Sequence, residues 1–330
     1  MKSFNHFLRE IGVPNDLRSL LYHIARAGKY INFSIRATNT GKEGTRNVFG
    51  EEQAALDVMS DRIIAQELEK SELVSRIVSE EQEKPMEVQA PRGNYLVAYD
   101  PLDGSSLIDV NFAIGSIFGI WDRPDVLGQK AGENLIASCY FVYGPRVTFM
   151  IAVKGLGAHE FELNDVGEFI LSDENVRIKS SYKHFAPGNL RCCTENPNYK
   201  ALLDHWIMGG KKLRYSGGMV PDINHIFNKG EGIFSYPRDK DHPNGKLRLL
   251  FECSPFSFIA RECGGLSKNQ EGQEVLDTIV NEYHQCSPIF VGSNEAVAEA
   301  ISFMNRPGIR RPGSILSSLG ILWPVLRFFS

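Results

Sequence analysis

Three apolar runs in this 330-residue chain end in acids. Arg76-Ile77-Val78 gives way to Ser79-Glu80-Glu81, and Tyr95–Tyr99 gives way to Asp100-Pro101-Leu102-Asp103-Gly104-Ser105-Ser106. Leu247–Phe251 gives way to Glu252-Cys253-Ser254-Pro255. A further carboxylate, Asp57, lies in the helical pattern of residues 51–69, about 20° around the helix from Ile64 and Leu68 at 100° per residue. Taken singly, each strand-end acid is more often a turn or cap than a ligand, and Asp57 reads equally well as a boundary residue. Taken together they offer six carboxylates at element ends, and clustered anions stay ionised only around a cation. Every donor is a hard oxygen, and none of the eight histidines stands in an H-E-x-x-H pattern. Such a set selects Mg²⁺, with Mn²⁺ as a substitute, and more than one ion. A multi-metal carboxylate site suits in-line attack of an activated water on phosphorus.

The turn Asp100–Ser106 has chemistry of its own. Pro101 fixes it, Gly104 allows close backbone approach, and the amides of Gly104, Ser105 and Ser106 are placed to form an anion-binding nest. Ser254-Pro255 reads as an N-cap with Pro at the first helical position, so Glu252 precedes a positive helix end. Arg214, Lys246 and Arg248, with Tyr215 and Tyr236, are either a second anion anchor or solvated surface. The glycines around Gly41-Lys42 do not make a phosphate loop, because Glu43 follows where Ser or Thr is required.

These groups need elements to carry them. Leu17, Leu20, Leu21, Ile24 and Ala25 recur at helical spacing, as do the apolar residues of 51–69, and further helices are expected around 198–208, 221–228, 255–263 and 294–304. Between them run short apolar segments at 76–78, 95–99, 114–121, 139–144, 147–153, 232–237, 246–252 and 288–293. The mixture predicts an α/β or α+β protein with layered sheets. The polar stretch 177–191 suggests a seam, giving one domain over 1–180 that carries the metal and phosphate candidates, a second over 181–304 and a basic, then apolar, tail over 305–330. A net charge of −4 argues against nucleic acid as a partner. The tail, interrupted by Gly320, Pro324 and Arg327, makes a poor membrane span. Six scattered cysteines and no secretory signal point to reduced thiols and a cytoplasmic location.

GEEQAALDVMSD, VSEE, DPLDGSS followed by IGSIFGIW, and GKLRLLFECSPFSFIARECGG resemble the class I fructose-1,6-bisphosphatase family, in family order over residues 15–304. NVFGEEQ, GSIFGIWD, YGPRVTFMIAVKG, FAPGNLR and RYSGGMVPDINHIF are similar to its sedoheptulose-1,7-bisphosphatase branch. The resemblance implies an αβαβα sugar-phosphatase fold and Mg²⁺-dependent hydrolysis of the 1-phosphate of sedoheptulose 1,7-bisphosphate, with fructose 1,6-bisphosphate as a second substrate. It implies Glu80, Glu81, Asp100, the Leu102 carbonyl, Asp103 and Glu252 as metal ligands, and Asp57 with Glu81 as the carboxylates that orient and deprotonate the water. Gly104, Ser105 and Ser106 match the phosphate cradle, Gly218 and Met219 the sugar contact, and Tyr215, Tyr236 and Lys246 the distal-phosphate contact. Arg214 matches an arginine lent to a neighbouring subunit, which implies a homodimer or homotetramer.

The chain also departs from the family pattern. Glu51 replaces an aspartate, and FAPGNLR replaces a loop bearing asparagine and tyrosine, leaving Asn189 and Arg191 as candidates for the distal phosphate. Asp122 stands where the family's AMP site has arginine, so AMP inhibition is not expected. No cysteine precedes Cys139, so thioredoxin control of the chloroplast type is not expected either. The alternatives are a fructose-1,6-bisphosphatase of gluconeogenesis, an inositol-monophosphatase-like enzyme that shares the D-P-x-D-G turn, and an inactive homologue acting as a binding or regulatory subunit.

Overall fold

A computed structural model describes residues 2–37, 46–89 and 91–307. The Gly41-Lys42 loop, the Glu51 side chain and the tail from 308 onward lie outside the described residues. An eight-stranded sheet is built from β1 (Val74–Ser79), β2 (Met86–Glu87), β3 (Tyr95–Asp103), β4 (Ile114–Trp121), β5 (Leu135–Tyr143), β6 (Val147–Val153), β7 (Gly157–Leu163) and β8 (Phe169–Asp173). Its order is β2-β1-β3-β4-β5-β6-β7-β8. A five-stranded sheet has the order β10-β9-β11-β13-β12, from β9 (His184–Pro187), β10 (Lys212–Leu213), β11 (Ile233–Tyr236), β12 (Leu266–Lys268) and β13 (Ile289–Gly292).

Helices α1 (Phe4–Glu10), α2 (Asn15–Ala37) and α3 (Arg46–Ser71) cover one face of the large sheet. Helices α5 (Met219–Lys229) and α6 (Ser254–Glu262) fill the space between the sheets, and α4 (Pro197–Met208) and α7 (Asn294–Met304) cover the far face of the small sheet. The result is the expected α-β-α-β-α layering. Strand β4 shows why: Phe118 and Ile120 pack toward α2 and α3, Ile117 and Trp121 toward α5 and α6, and every residue of the strand is buried. A strand covered on both faces loses the polar alternation of a half-buried one.

Most expected elements are present, with two differences. The run 246–252, expected as a strand, is instead a π-helical turn, Leu249–Cys253, that continues into α6. Leu249, Leu250 and Phe251 are completely buried, and in a short apolar run buried all round, periodicity does not separate strand from helix. The stretch 177–191, read as a polar seam, contains the buried strand β9, which pairs in parallel with β11.

Helices α2 and α3 are locked by a buried carboxylate. Glu67 takes the guanidinium of Arg26 at 2.6 Å, the ammonium of Lys70 at 2.9 Å and Nδ1 of His23 at 3.3 Å. Burial alone would raise its pKa, but hydrogen bonds from Arg26 and Lys70 hold it below the ordinary carboxylate value. Its contribution is therefore present above that ordinary value and is lost as pH falls through the depressed one. Glu67→Gln should destabilise the fold by about 1–2 kcal/mol at pH 7. In thermal melts the gap to wild type should close toward pH 3; a gap independent of pH would contradict this account.

Candidate active site

Strands β1 and β3 run parallel and adjacent, with Ser79 opposite Tyr99, so Ser79-Glu80-Glu81 and the Asp100–Ser106 turn emerge at the same end of the sheet. The Glu80 amide donates to the Tyr99 carbonyl at 3.1 Å and extends the ladder to the first of these acids. On β3, Val97 and Tyr99 face the α2–α3 layer, whereas Leu96 and Ala98 face α5 and α6. Alternation therefore puts Asp100 on the α5–α6 face, where the π-helical turn brings Glu252. Asp100, Asp103 and Glu252 each offer a carboxylate oxygen within 4.8 Å of the other two.

Each of the three is tethered. The Leu102 amide donates to Asp100 Oδ1 at 2.9 Å, the Val220 amide to Asp103 Oδ2 at 2.7 Å, and the Arg248 amide to Glu252 Oε2 at 2.6 Å. Asp103 thereby caps α5 from another element of the fold, fixing that helix to the end of β3. Burial is the chief reason that all three carboxyls lie above their ordinary values. Asp103 is pushed up to about 6 despite the amides of Val220 and Met219, while neighbouring carboxylates add to the rise at Asp100 and Glu252. Glu80 is raised by burial too, partly offset by Arg248, whose Nε lies 3.6 Å from Glu80 Oε1. Buried all-oxygen anions that repel one another are what a divalent cation requires.

Asp57, on α3, approaches Glu81 and Ser105 from the opposite layer. Its carboxyl is raised to about 6 by burial and by the charge of Glu81, against a hydrogen bond from Ser105. Ile64 and Leu68 are buried as the helical wheel required.

Above the cluster opens a cavity of about 270 Å³. Glu80, Asp103 and Glu252 line it together with Gly104, Ser105, Ser106, Gly218, Met219, Tyr215, Tyr236 and Lys246. Gly104 has φ +78°, in the left-handed region that favours glycine. Asp222 accepts from the Ser216 amide at 2.7 Å and braces the loop before α5.

Other expected residues lie elsewhere. Arg214 is exposed just after the edge strand β10 and does not line this cavity. Asn189 is buried, and its side-chain nitrogen is taken by the Pro237 carbonyl at 3.0 Å and Asp239 Oδ2 at 2.8 Å, so this amide does not face the cavity. Arg191 is exposed and does not line the cavity; its charge offsets part of the rise that burial gives the Tyr236 hydroxyl.

Sequence reasoning missed two participants, Asp222 as the loop brace and Gly188 beneath Tyr236, and it named Arg248 as an anion anchor where the structure pairs it with Glu80. A Cβ on Gly188 would lie 2.3 Å from the Tyr236 ring. Only the position of Arg248 four residues before Glu252 carried a signal. Gly188→Ala should push Tyr236 into the distal end and raise KM for a bisphosphate with little change in kcat. A KM equal to wild type would show that the ring does not meet the substrate.

Sequence models of the "Fructose-1-6-bisphosphatase, N-terminal domain" and the corresponding C-terminal domain match residues 5–174 and 178–305. The class 1 fructose-1,6-bisphosphatase of Pelobacter propionicus is 44% identical over 303 residues, covering 91% of this chain and 92% of that protein. The chloroplastic sedoheptulose-1,7-bisphosphatase of Triticum aestivum is 36% identical over 297 residues, covering 89% and 75%. Among solved structures, Leishmania major fructose-1,6-bisphosphatase in holo form aligns with a TM-score of 0.84 at 29% identity, covering 92% of this chain and 99% of that one. A putative sedoheptulose-1,7-bisphosphatase from Toxoplasma gondii aligns at 0.82 and 32%, covering 92% and 98%.

Proposed function

The chain belongs to the fructose-1,6-bisphosphatase family, a phosphoric monoester hydrolase acting on sugar bisphosphates, and we propose that it removes the 1-phosphate of ketose bisphosphates with Mg²⁺ at the Asp100–Asp103–Glu252 cluster. The observation that carries this reading is the meeting of three features in one cavity: anionic oxygens, which we read as its floor, the Gly104-Ser105-Ser106 turn, and Lys246 with two tyrosines, which we read as its far end. An inositol-monophosphatase-like enzyme has no use for the far end, and an inactive homologue no use for the intact floor.

Asp100, Asp103, Glu252, Glu80, Glu81 and the Leu102 carbonyl would hold the ions, with Mn²⁺ able to substitute. When bound, a divalent cation neutralises charge on the transferring phosphoryl group and lowers the pKa of a bound water. The protein's own groups do the rest. Gly104, Ser105 and Ser106 seat the phosphate to be cleaved. Asp57 and Glu81 orient the attacking water, with Asp57 taking its proton. Gly218 and Met219 pack on the sugar, and Tyr215, Tyr236 and Lys246 hold the distal phosphate.

The higher identity of the fructose-1,6-bisphosphatase relatives puts fructose 1,6-bisphosphate first, ahead of the seven-carbon sugar that the sequence segments favoured. Sedoheptulose 1,7-bisphosphate stays as the second reading, on one observation: the Asn189 amide is drawn away to Asp239, leaving the distal end to Tyr215, Tyr236 and Lys246. Phosphate release with Mg²⁺ at matched low concentrations of the two sugars tests this. A larger kcat/KM for the six-carbon sugar supports the first reading, a larger value for the seven-carbon sugar the second, and no release from either overturns the proposal.

We further propose a domain division near residue 180, a cytoplasmic location and a homodimer or homotetramer. Arg214 is exposed and apart from its own cavity, as a residue lent to a partner subunit would be. Among the described residues no helix is long and apolar enough to cross a membrane.

A further inference from the structure

Asp61 lies one helical turn beyond Asp57 on α3, and it is almost fully buried. Its Oδ1 accepts the hydroxyl of Tyr99 at 2.8 Å, and its Oδ2 accepts the side-chain amide of Gln82 at 2.8 Å. Tyr99 is completely buried on the α3-facing side of β3, immediately before Asp100. Gln82 immediately follows Glu81. Ser79, paired with Tyr99 across the two strands, accepts the Glu81 amide on its Oγ at 3.2 Å. Each arm of this network therefore ends next to a different acid of the active site: Asp57 through the helix, Asp100 through β3, and Glu81 through the turn after β1.

The arrangement has a mechanical meaning. Asp57 and Glu81 come from different layers of the fold, and no covalent constraint fixes their separation. The distance between them depends on how α3 is held against β3 and the Ser79–Gln82 turn. A carboxylate that bonds to both partners is a short bridge across that seam. We propose that Asp61 is a positioning residue for the phosphatase reaction: by accepting Tyr99 and Gln82 together, it sets the Asp57–Glu81 geometry around the attacking water. This rests on the phosphatase reading given above. Asp61 itself neither lines the cavity nor belongs to the Asp100–Asp103–Glu252 cluster. Its loss should therefore affect turnover, not substrate affinity.

The test uses the full chain with Asp61→Ala, Asp61→Asn and Tyr99→Phe. It measures kcat and KM for fructose 1,6-bisphosphate at saturating Mg²⁺, and melting temperature in EDTA and in Mg²⁺. Misplacement of reacting groups by about 1 Å costs on the order of 10²-fold, so Asp61→Ala should lose kcat on that scale with KM unchanged. It should keep the Mg²⁺-induced rise in melting temperature, because Asp100, Asp103 and Glu252 are untouched. Asp61→Asn retains an acceptor for Tyr99 and can pair with a rotated Gln82 amide, so it should recover most of the rate. Tyr99→Phe should show a smaller loss of kcat, again without a change in KM, and it decides the matter if Asp61→Ala does not fold.

A kcat near wild type in Asp61→Ala, a loss carried by KM, or an Asp61→Asn variant as slow as Asp61→Ala would each overturn the proposal. If the wild-type protein releases no phosphate, the phosphatase reading falls and this inference falls with it. If the wild type is active beside an unimpaired Asp61→Ala, this inference falls alone.

Discussion

Glu252→Gln is expected to melt higher than the wild-type protein in EDTA, and to lose phosphatase turnover. The two effects share one cause. Glu252, Asp100 and Asp103 present oxygens within 4.8 Å of each other in a buried site, with Glu80 close enough to raise Glu252 further. Without a cation, Arg248, 3.6 Å from Glu80, and the charge of His284 offset the repulsion in part. Replacing one carboxylate by its neutral isostere removes a repulsion and a desolvation penalty while preserving volume. Replacing buried ionic groups by neutral ones of similar volume ranges from no effect to a gain of about 1–4 kcal/mol, and a carboxylate among like charges belongs at the favourable end. A gain of about 1 kcal/mol is a rise of a few degrees for a chain of this size. The Arg248 amide still finds an acceptor in the glutamine carbonyl, so the π-helical turn keeps its shape.

In Mg²⁺ the order should reverse. The wild-type protein gains stability by mass action, since a ligand that binds only the folded state raises its melting temperature. The variant gains little, and its turnover should fall on the order of 10²-fold or more, as for lost electrostatic stabilisation of a transition state. Paired melts in EDTA and Mg²⁺ with a phosphate-release assay check all three statements. A variant that melts lower than wild type in EDTA would show that Glu252 is held by packing and Arg248, not strained by its neighbours.

The legibility of this site in the sequence follows the range of the interactions involved. The Ser79–Glu81 and Asp100–Ser106 ends were readable because an acid after a hydrophobic strand is a local pattern, and parallel pairing of β1 with β3 then delivers both to one edge. Asp57 was readable from the helical wheel, a relation across three turns. Glu252 was placed correctly on the wrong element: its role depends on which acids it meets, whereas the turn that carries it depends on burial from all sides. Tyr99 and Asp61 are 38 residues apart, and Asn189 and Asp239 are 50 apart. Neither pair has a spacing that announces contact, because only the layer order brings them together. Gly188 was invisible for a related reason. Its importance is the absence of a Cβ where the Tyr236 ring passes, and nothing near it in sequence reports that ring. Asn189 shows the converse, since a polar residue in a variant loop suggested a ligand contact and the fold uses it as a brace.

Asp57→Asn should lose kcat on the order of 10²–10⁴-fold, the range for removal of a general base, with KM for the sugar bisphosphate unchanged. Asp57 is not one of the three clustered carboxylates Asp100, Asp103 and Glu252, and Tyr215, Tyr236 and Lys246 lie on other segments of the chain. The variant should therefore bind Mg²⁺ and substrate as the wild type does. Asparagine keeps an oxygen for the Ser105 hydroxyl, so the cradle stays in place while the group that accepts the proton is gone. The contrast with Glu252→Gln is diagnostic. One change abolishes the Mg²⁺-induced rise in melting temperature and raises stability in EDTA; the other preserves the rise and removes only turnover. Should Asp57→Asn also lose its response to Mg²⁺, Asp57 belongs to the metal site and the proton must leave through Glu81. Should it retain wild-type kcat, the α3 layer contributes packing alone, and the hydrogen bond to Ser105 is its whole contribution to the reaction.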